Sequence, residues 1–138
     1  MFCLLLAGAA ALGVGSVLRS GVRLGCRPLK EYCWRENPNL PDCAGMNALA
    51  ASVENGSMCW MQDPVEASVA FLNECFIIGR YRSRPAYLHE CKTVGDKTYV
   101  LLTFDDGEEM AFELCRPEVC SCRRFYVVCR YCYASLCQ

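Results

Sequence analysis

Lys97-Thr98-Tyr99-Val100-Leu101-Leu102-Thr103-Phe104-Asp105-Asp106-Gly107-Glu108-Glu109-Met110-Ala111-Phe112-Glu113-Leu114 is the stretch on which the fold turns. Large apolar and β-branched residues on both sides of Asp106-Gly107 carry a period of two, the pattern of a half-buried strand. Asp-Gly suits a two-residue type I′ hairpin turn. That turn sets Thr103 opposite Met110, Leu101 opposite Phe112 and Tyr99 opposite Leu114, all on one apolar face. The reverse face then carries Phe104 opposite Glu109 and Val100 opposite Glu113, so it is only partly covered.

Outward from this hairpin, Gly95-Asp96 offers a second two-residue turn, which makes residues 86–94 an earlier strand. Arg124 to Arg130 can add a fourth. Before the strands the period is helical. Asp63-Pro64-Val65-Glu66 supplies an N-cap, a proline at the first helical position and a capping-box acid, and Val65, Val69, Leu72, Cys75 and Phe76 form one stripe ended by Gly79. A helix over 64–78 follows. Cys43, Met46, Leu49, Ala50 and Val53 predict a shorter helix over 42–54, stopped by Asn55-Gly56 and weakened by Gly45. The prolines of Asn37-Pro38-Asn39-Leu40-Pro41-Asp42 exclude regular helix there, and the basic residues 17–32 read as an irregular arm pinned by Cys26. The fold class expected is α+β: a small disulfide-rich domain with two helices packed on a three- or four-stranded antiparallel sheet.

Cysteine decides the compartment. The 138 residues contain 13 cysteines, far above ordinary usage. Oxidising compartments turn such residues into cross-links, whereas reducing ones preserve them as metal-binding thiolates. From Met1 to Leu18 no side chain is charged, and Phe2–Leu12 resembles the apolar core of a secretory leader followed by small residues at Gly13, Gly15 and Ser16. The reading is a signal peptide over 1–16 and a single cysteine-rich domain over 17–138. Losing Cys3 with the leader leaves an even set of disulfide candidates: Cys26, Cys33, Cys43, Cys59, Cys75, Cys91, Cys115, Cys120, Cys122, Cys129, Cys132 and Cys137. The competing reading keeps the apolar run as an anchor. Arg19, Arg23, Arg27 and Lys30 follow it, and by the positive-inside rule they would hold the rest of the chain in the cytosol, where Cys120, Cys122, Cys129 and Cys132 could bind zinc.

Net charge is −1, with no dominant pole, which gives no support for nucleic-acid or membrane-surface affinity. Asn55-Gly56-Ser57 is a glycosylation sequon in the turn after the first helix, with Asn55 as the acceptor. Two segments are candidate partner contacts. Arg80, Arg82 and Arg84 would share one face of an extended chain, and Arg123, Tyr131 and Tyr133 belong to a Tyr- and Arg-rich segment of the kind enriched at interfaces. Each has a plainer account, a solvated loop for the first and sheet packing for the second. Clustered acids at Asp105, Asp106, Glu108 and Glu109 lack EF-hand spacing and read as a charged hairpin tip. His89 lies near Cys91, but no nucleophile, zinc-hydrolase, phosphate-loop or dinucleotide motif is present, so no catalytic residue, metal ligand or cofactor is assigned. The expectation is a secreted, non-enzymatic ligand, toxin or inhibitor acting on an extracellular protein, with no membrane contact after signal removal. A membrane-tethered cytosolic zinc protein and a secreted hydrolase are the alternatives.

Overall fold

The computed structural model of the chain describes residues 21–74, 84–118 and 124–133. The leader reading therefore lies outside the described residues. The described residues fall into two compact units, one before Cys33 and one from Cys33 onward. In the first, β1 (Arg23–Leu24) and β2 (Arg27–Pro28) pair antiparallel around Gly25, which adopts φ 64°, and a 3₁₀ turn spans Leu29–Glu31. The arm is thus less irregular than its composition suggests. Short backbone pairing orders it, and Tyr32 donates its hydroxyl hydrogen to the Leu24 carbonyl. Cys26 is exposed in the turn between the two strands.

The second unit is the α+β structure expected. It comprises β3 (Arg35–Glu36), α1 (Cys43–Glu54), a 3₁₀ turn (Cys59–Gln62), α2 (Pro64–Glu74), β4 (Ala86–Val94), β5 (Lys97–Phe104), β6 (Glu109–Cys115) and β7 (Val127–Tyr133). The sheet is antiparallel throughout, in the order β3-β7-β6-β5-β4. Four strands are long, and β3 adds two residues at one edge.

Both helices start where their caps require. Asp42 accepts from the Gly45 N–H at 2.9 Å, and Asp63 from the Val65 N–H at 2.8 Å. Each bond satisfies an otherwise orphaned donor and is worth about 1 kcal/mol. The end of the second helix, with Gly79, lies outside the described residues. The Gly95-Asp96 turn forms as expected: Val94 pairs with Lys97, and Gly95 has φ 65°.

The central hairpin departs from expectation by one residue. Thr103 pairs with Glu109, Leu102 with Met110 and Val100 with Phe112. Phe104 N–H donates to the Glu108 carbonyl at 2.8 Å and Gly107 N–H to the Phe104 carbonyl at 3.0 Å, so the loop is Asp105-Asp106-Gly107. Gly107, at φ 88°, takes the left-handed place that ends such a three-residue loop. A register change of one residue exchanges the faces of a strand relative to its partner. Val100, Leu102 and Phe104 therefore share the helix-covered face with Met110, Phe112 and Leu114, while Tyr99 and Leu101 share the other with Ala111 and Glu113.

On the first face these residues pack with Ala67 and Leu72 of α2 and Val128 and Tyr131 of β7. Phe71 meets the Phe112 ring edge-on at 6.1 Å. A second cluster joins Ala50 and Val53 of α1 to Met61, Phe125 and Val127. Each fully buried large side chain contributes roughly 1.5–3 kcal/mol. The β6–β7 ladder contains a bulge: Glu113 pairs with Arg130 but Leu114 with Val128, leaving Cys129 as the extra residue.

Candidate functional site

The far edge of the sheet is formed by the most exposed of its four long strands. β4 pairs with β5 and ends the strand order, and its burial pattern is mostly open. Tyr87 and Leu88 are 61% and 53% exposed, the two largest exposures among the big hydrophobic side chains described. A bulge at His89 interrupts pairing between Leu88 and Glu90. Beyond it Glu90 and Lys92 pair at 2.5 Å. Bulges and charges discourage indiscriminate edge pairing; the bulge sits at His89 and the charged pair on the Glu90–Val94 half. The apolar pair lies on the other. The His89 ring contacts Thr103 at 3.3 Å and Glu109 at 3.4 Å. Partial desolvation, and behind it the charge of Asp63, push the Cys91 thiol up, against the needs of a thiolate nucleophile.

Arg84, just before β4, is tied to the hairpin tip. Its guanidinium meets Asp106 at 2.8 Å, Glu108 at 3.4 Å and Asp105 at 3.6 Å, and lies 4.8 Å from the Phe104 ring centre. Desolvation would lower its pKa, but the bonds and charges of Asp106 and Glu108 outweigh that and raise it. The acids of the tip thus answer a cation of the same chain. Arg80, Arg82 and Arg123 lie outside the described residues. Tyr131 is 2% exposed and packs in the core, 5.6 Å from Phe71 and stacked on half-buried Tyr133 at 6.2 Å. For Tyr131 the sheet-packing account describes the side chain, and an exposed contact does not.

The reverse face of the sheet holds a polar cluster that the expected register hid. Glu113, with a side chain 6% exposed, accepts hydrogen bonds from Arg130 Nε at 2.8 Å, Arg130 Nη2 at 2.7 Å and the Tyr99 hydroxyl at 2.8 Å. Arg130 also lies 5.4 Å from the Trp34 ring centre, and Trp34 and Tyr99 are 5.9 Å apart. Burial, the largest single effect, would raise the Glu113 pKa, yet the bonds from Arg130 and Tyr99 together carry it below the usual carboxylate range. A carboxylate so fully bonded is a structural anchor and offers no free oxygen for proton transfer.

Among the described cysteines, Cys26, Cys33, Cys43, Cys59 and Cys91 are exposed and unbonded, on a turn, a connecting segment, two helix starts and the edge strand. Cys115 and Cys129 are half-buried, with their sulfurs 2.7 Å apart. Cys132 is disulfide-bonded. Cys75, Cys120, Cys122 and Cys137 lie outside the described residues. No group of three or more His, Cys, Asp or Glu able to hold a metal ion occurs among the described residues. Likewise, no described helix is long and apolar enough to cross a membrane.

Asn55 is exposed at the end of α1; its side-chain oxygen accepts from the Ser57 N–H at 2.9 Å, and the Ser57 hydroxyl donates to the Ser52 carbonyl at 3.2 Å. A cavity of about 270 Å³ opens between α1, α2 and the start of β7, lined chiefly by Leu49, Met58, Trp60, Met61 and Phe71 with Glu74 at its side. One exposed carboxylate in an apolar lining makes no acid–base pair. No family model, curated protein or solved structure matches the chain.

Proposed function

We propose that this chain is a secreted, disulfide-stabilised binding protein, a ligand, toxin or inhibitor that engages another extracellular protein through the β4 edge. The observation that carries the reading is the pair of large side chains, Tyr87 and Leu88, standing open on the outermost long strand. An exposed strand edge can accept a strand from a partner, main-chain hydrogen bonds giving affinity and side chains choosing the partner. Scattered exposed cysteines support the secretory half of the reading, since oxidation in such a compartment would convert them from reactive thiols into cross-links. The leader-like N-terminus supports it too, and Asn55 would carry its glycan on an open turn.

Expression of the full chain in secretory cells tests the compartment. The medium should contain protein lacking the apolar run, heavier by a glycan that Asn55→Gln removes. Cross-linking at the surface of target cells then tests the site: Tyr87→Asp with Leu88→Lys should abolish capture while changing stability by no more than about 0.5 kcal/mol, as surface substitutions usually do. Capture unaffected by that variant but lost on charge reversal of Arg80 and Arg82 would move the contact to the arginine segment. Retention of Met1 in a membrane fraction with stoichiometric zinc would replace the secreted reading, and turnover abolished by replacing a single acid would replace the non-enzymatic one.

A further inference from the structure

We infer that Cys115 and Cys129 are one disulfide pair of this protein, and that in the reduced chain they form a reactive dithiol in which Cys115 attacks a small-molecule disulfide and Cys129 resolves the product. The sheet itself makes the pair. Cys115 ends β6 and Cys129 is the extra residue of the β7 bulge. In the bulged ladder Cys115 pairs with Val127, whereas a regular continuation from Glu113 and Arg130 would pair it with Val128. Cys129, the added residue, stands two positions from Val127, and its sulfur lies 2.7 Å from that of Cys115. A disulfide bond of about 2.05 Å needs only a sub-ångström approach from there. The inference holds in either compartment.

The order of attack follows from the surroundings. Cys129 donates its S–H to Cys115, and Lys97 stands opposite Cys115 in the β5–β6 register. The hydrogen bond from Cys129 is the largest influence; burial opposes it, the Lys97 charge adds to it and Glu113 works against it, and the Cys115 thiol is lowered to about 7. Cys129, donor to that sulfur, is pushed up. One sulfur is thus a thiolate near neutrality while its neighbour keeps its proton.

In the first step the Cys115 thiolate attacks one sulfur of the small disulfide, whose S–S bond breaks and releases one thiolate, protonated by water. In the second, Cys129 gives up its proton and attacks the Cys115 sulfur, and the mixed disulfide breaks to release the second thiol. The protein loses two electrons and two thiol hydrogens, and the oxidant becomes two thiols.

The test uses the reduced full-length chain with oxidised glutathione. After quenching and denaturation, cleavage following Glu113, Glu118, Arg124 and Arg130 isolates Cys115 in residues 114–118 and Cys129 in residues 125–130, so a linked pair of these peptides identifies the bond. At pH 7 the lowered thiol is about half thiolate, against roughly 1% for its ordinary value of 9.0. That ~50-fold gain, less the nucleophilicity lost with basicity, leaves about a sixfold faster first step than the same cysteine shows in the urea-unfolded chain. Cys129→Ser should halt at a glutathione adduct on Cys115, while Cys115→Ser should accumulate little on Cys129. Linkage of Cys115 to any other cysteine in the wild-type chain would overturn the pairing whether or not the variants fold. Equal adduct formation on the two cysteines would overturn the order of attack.

Discussion

Replacing Glu113 by alanine removes the acceptor of three hydrogen bonds on the reverse face of the sheet, two from Arg130 and one from Tyr99. Each bond to a charged group is worth about 1.5–3 kcal/mol, but the three share one carboxylate and do not add. Leaving a buried cation without its partner typically costs about 3–5 kcal/mol. The Arg130 side chain is 34% exposed, so water can take back part of that loss. The expected destabilisation is therefore ~2–4 kcal/mol. With a urea slope of about 1–3 kcal/mol per molar, that lowers the unfolding midpoint by on the order of 1–2 M, measured with disulfides intact. Glu113→Gln keeps the shape and should lose about half as much.

Acid supplies an independent check on the same group. Because the folded carboxyl lies below its ordinary 4.5, its contribution is complete above that value and fades as pH falls through the folded one. The gap between wild type and Glu113→Gln should narrow below about pH 4.5 and hold steady from there to pH 7. An alanine variant within about 0.5 kcal/mol of wild type, or a gap that widens on acidification, would refute the assignment of Glu113 as an ionised anchor.

Two glycines should respond for opposite reasons to those that helix propensity suggests. Gly107→Ala should cost about 1 kcal/mol in urea unfolding, because φ 88° is strained for any side chain even though the space around it is open. Gly45→Ala, nominally a helix improvement of about 1 kcal/mol, should give no gain, since its new Cβ would lie 2.8 Å from the Pro41 Cβ. Leu72→Ala, at a side chain 1% exposed between α2 and the sheet, should cost about 2–5 kcal/mol by the same assay.

Where the sequence spoke through local chemistry, it was readable. Asp63 caps the helix it was expected to cap, and Gly95-Asp96 makes its tight turn, because each depends on a few adjacent atoms. Asp106-Gly107 was harder. Asp105 can join the loop or the strand at little local cost, and the choice belongs to the packing of Phe104, Met110 and Phe112 against α2, which no window of sequence contains. That one residue decided which strand neighbours Glu113, so its cluster with Tyr99 and Arg130 was out of view. The Cys115–Cys129 contact was hidden for a related reason: equal strand spacing brings cysteines together only if the ladder is regular, and a bulge leaves no sequence mark of its own. Tyr87 and Leu88 were passed over because an apolar pair inside a strand reads as core until the strand is known to be the last in the sheet.

The pairing of β3 with β7 also bears on how the chain is made. Arg35 and Glu36 bond to Tyr131 and Arg130, and the Asn37 amide donates to the Val128 carbonyl across 91 residues of sequence. At about 5–20 residues per second, a ribosome needs on the order of 5–20 s to deliver that partner after Asn37 has emerged. Until then β3 lacks the strand it pairs with, and the thiols between the two are made in order while the sheet is still incomplete. In an oxidising compartment, oxidation faster than synthesis would join cysteines by the order in which they appear, and a slow oxidant, or an isomerase acting after β7 arrives, would favour the pairs the finished sheet brings together.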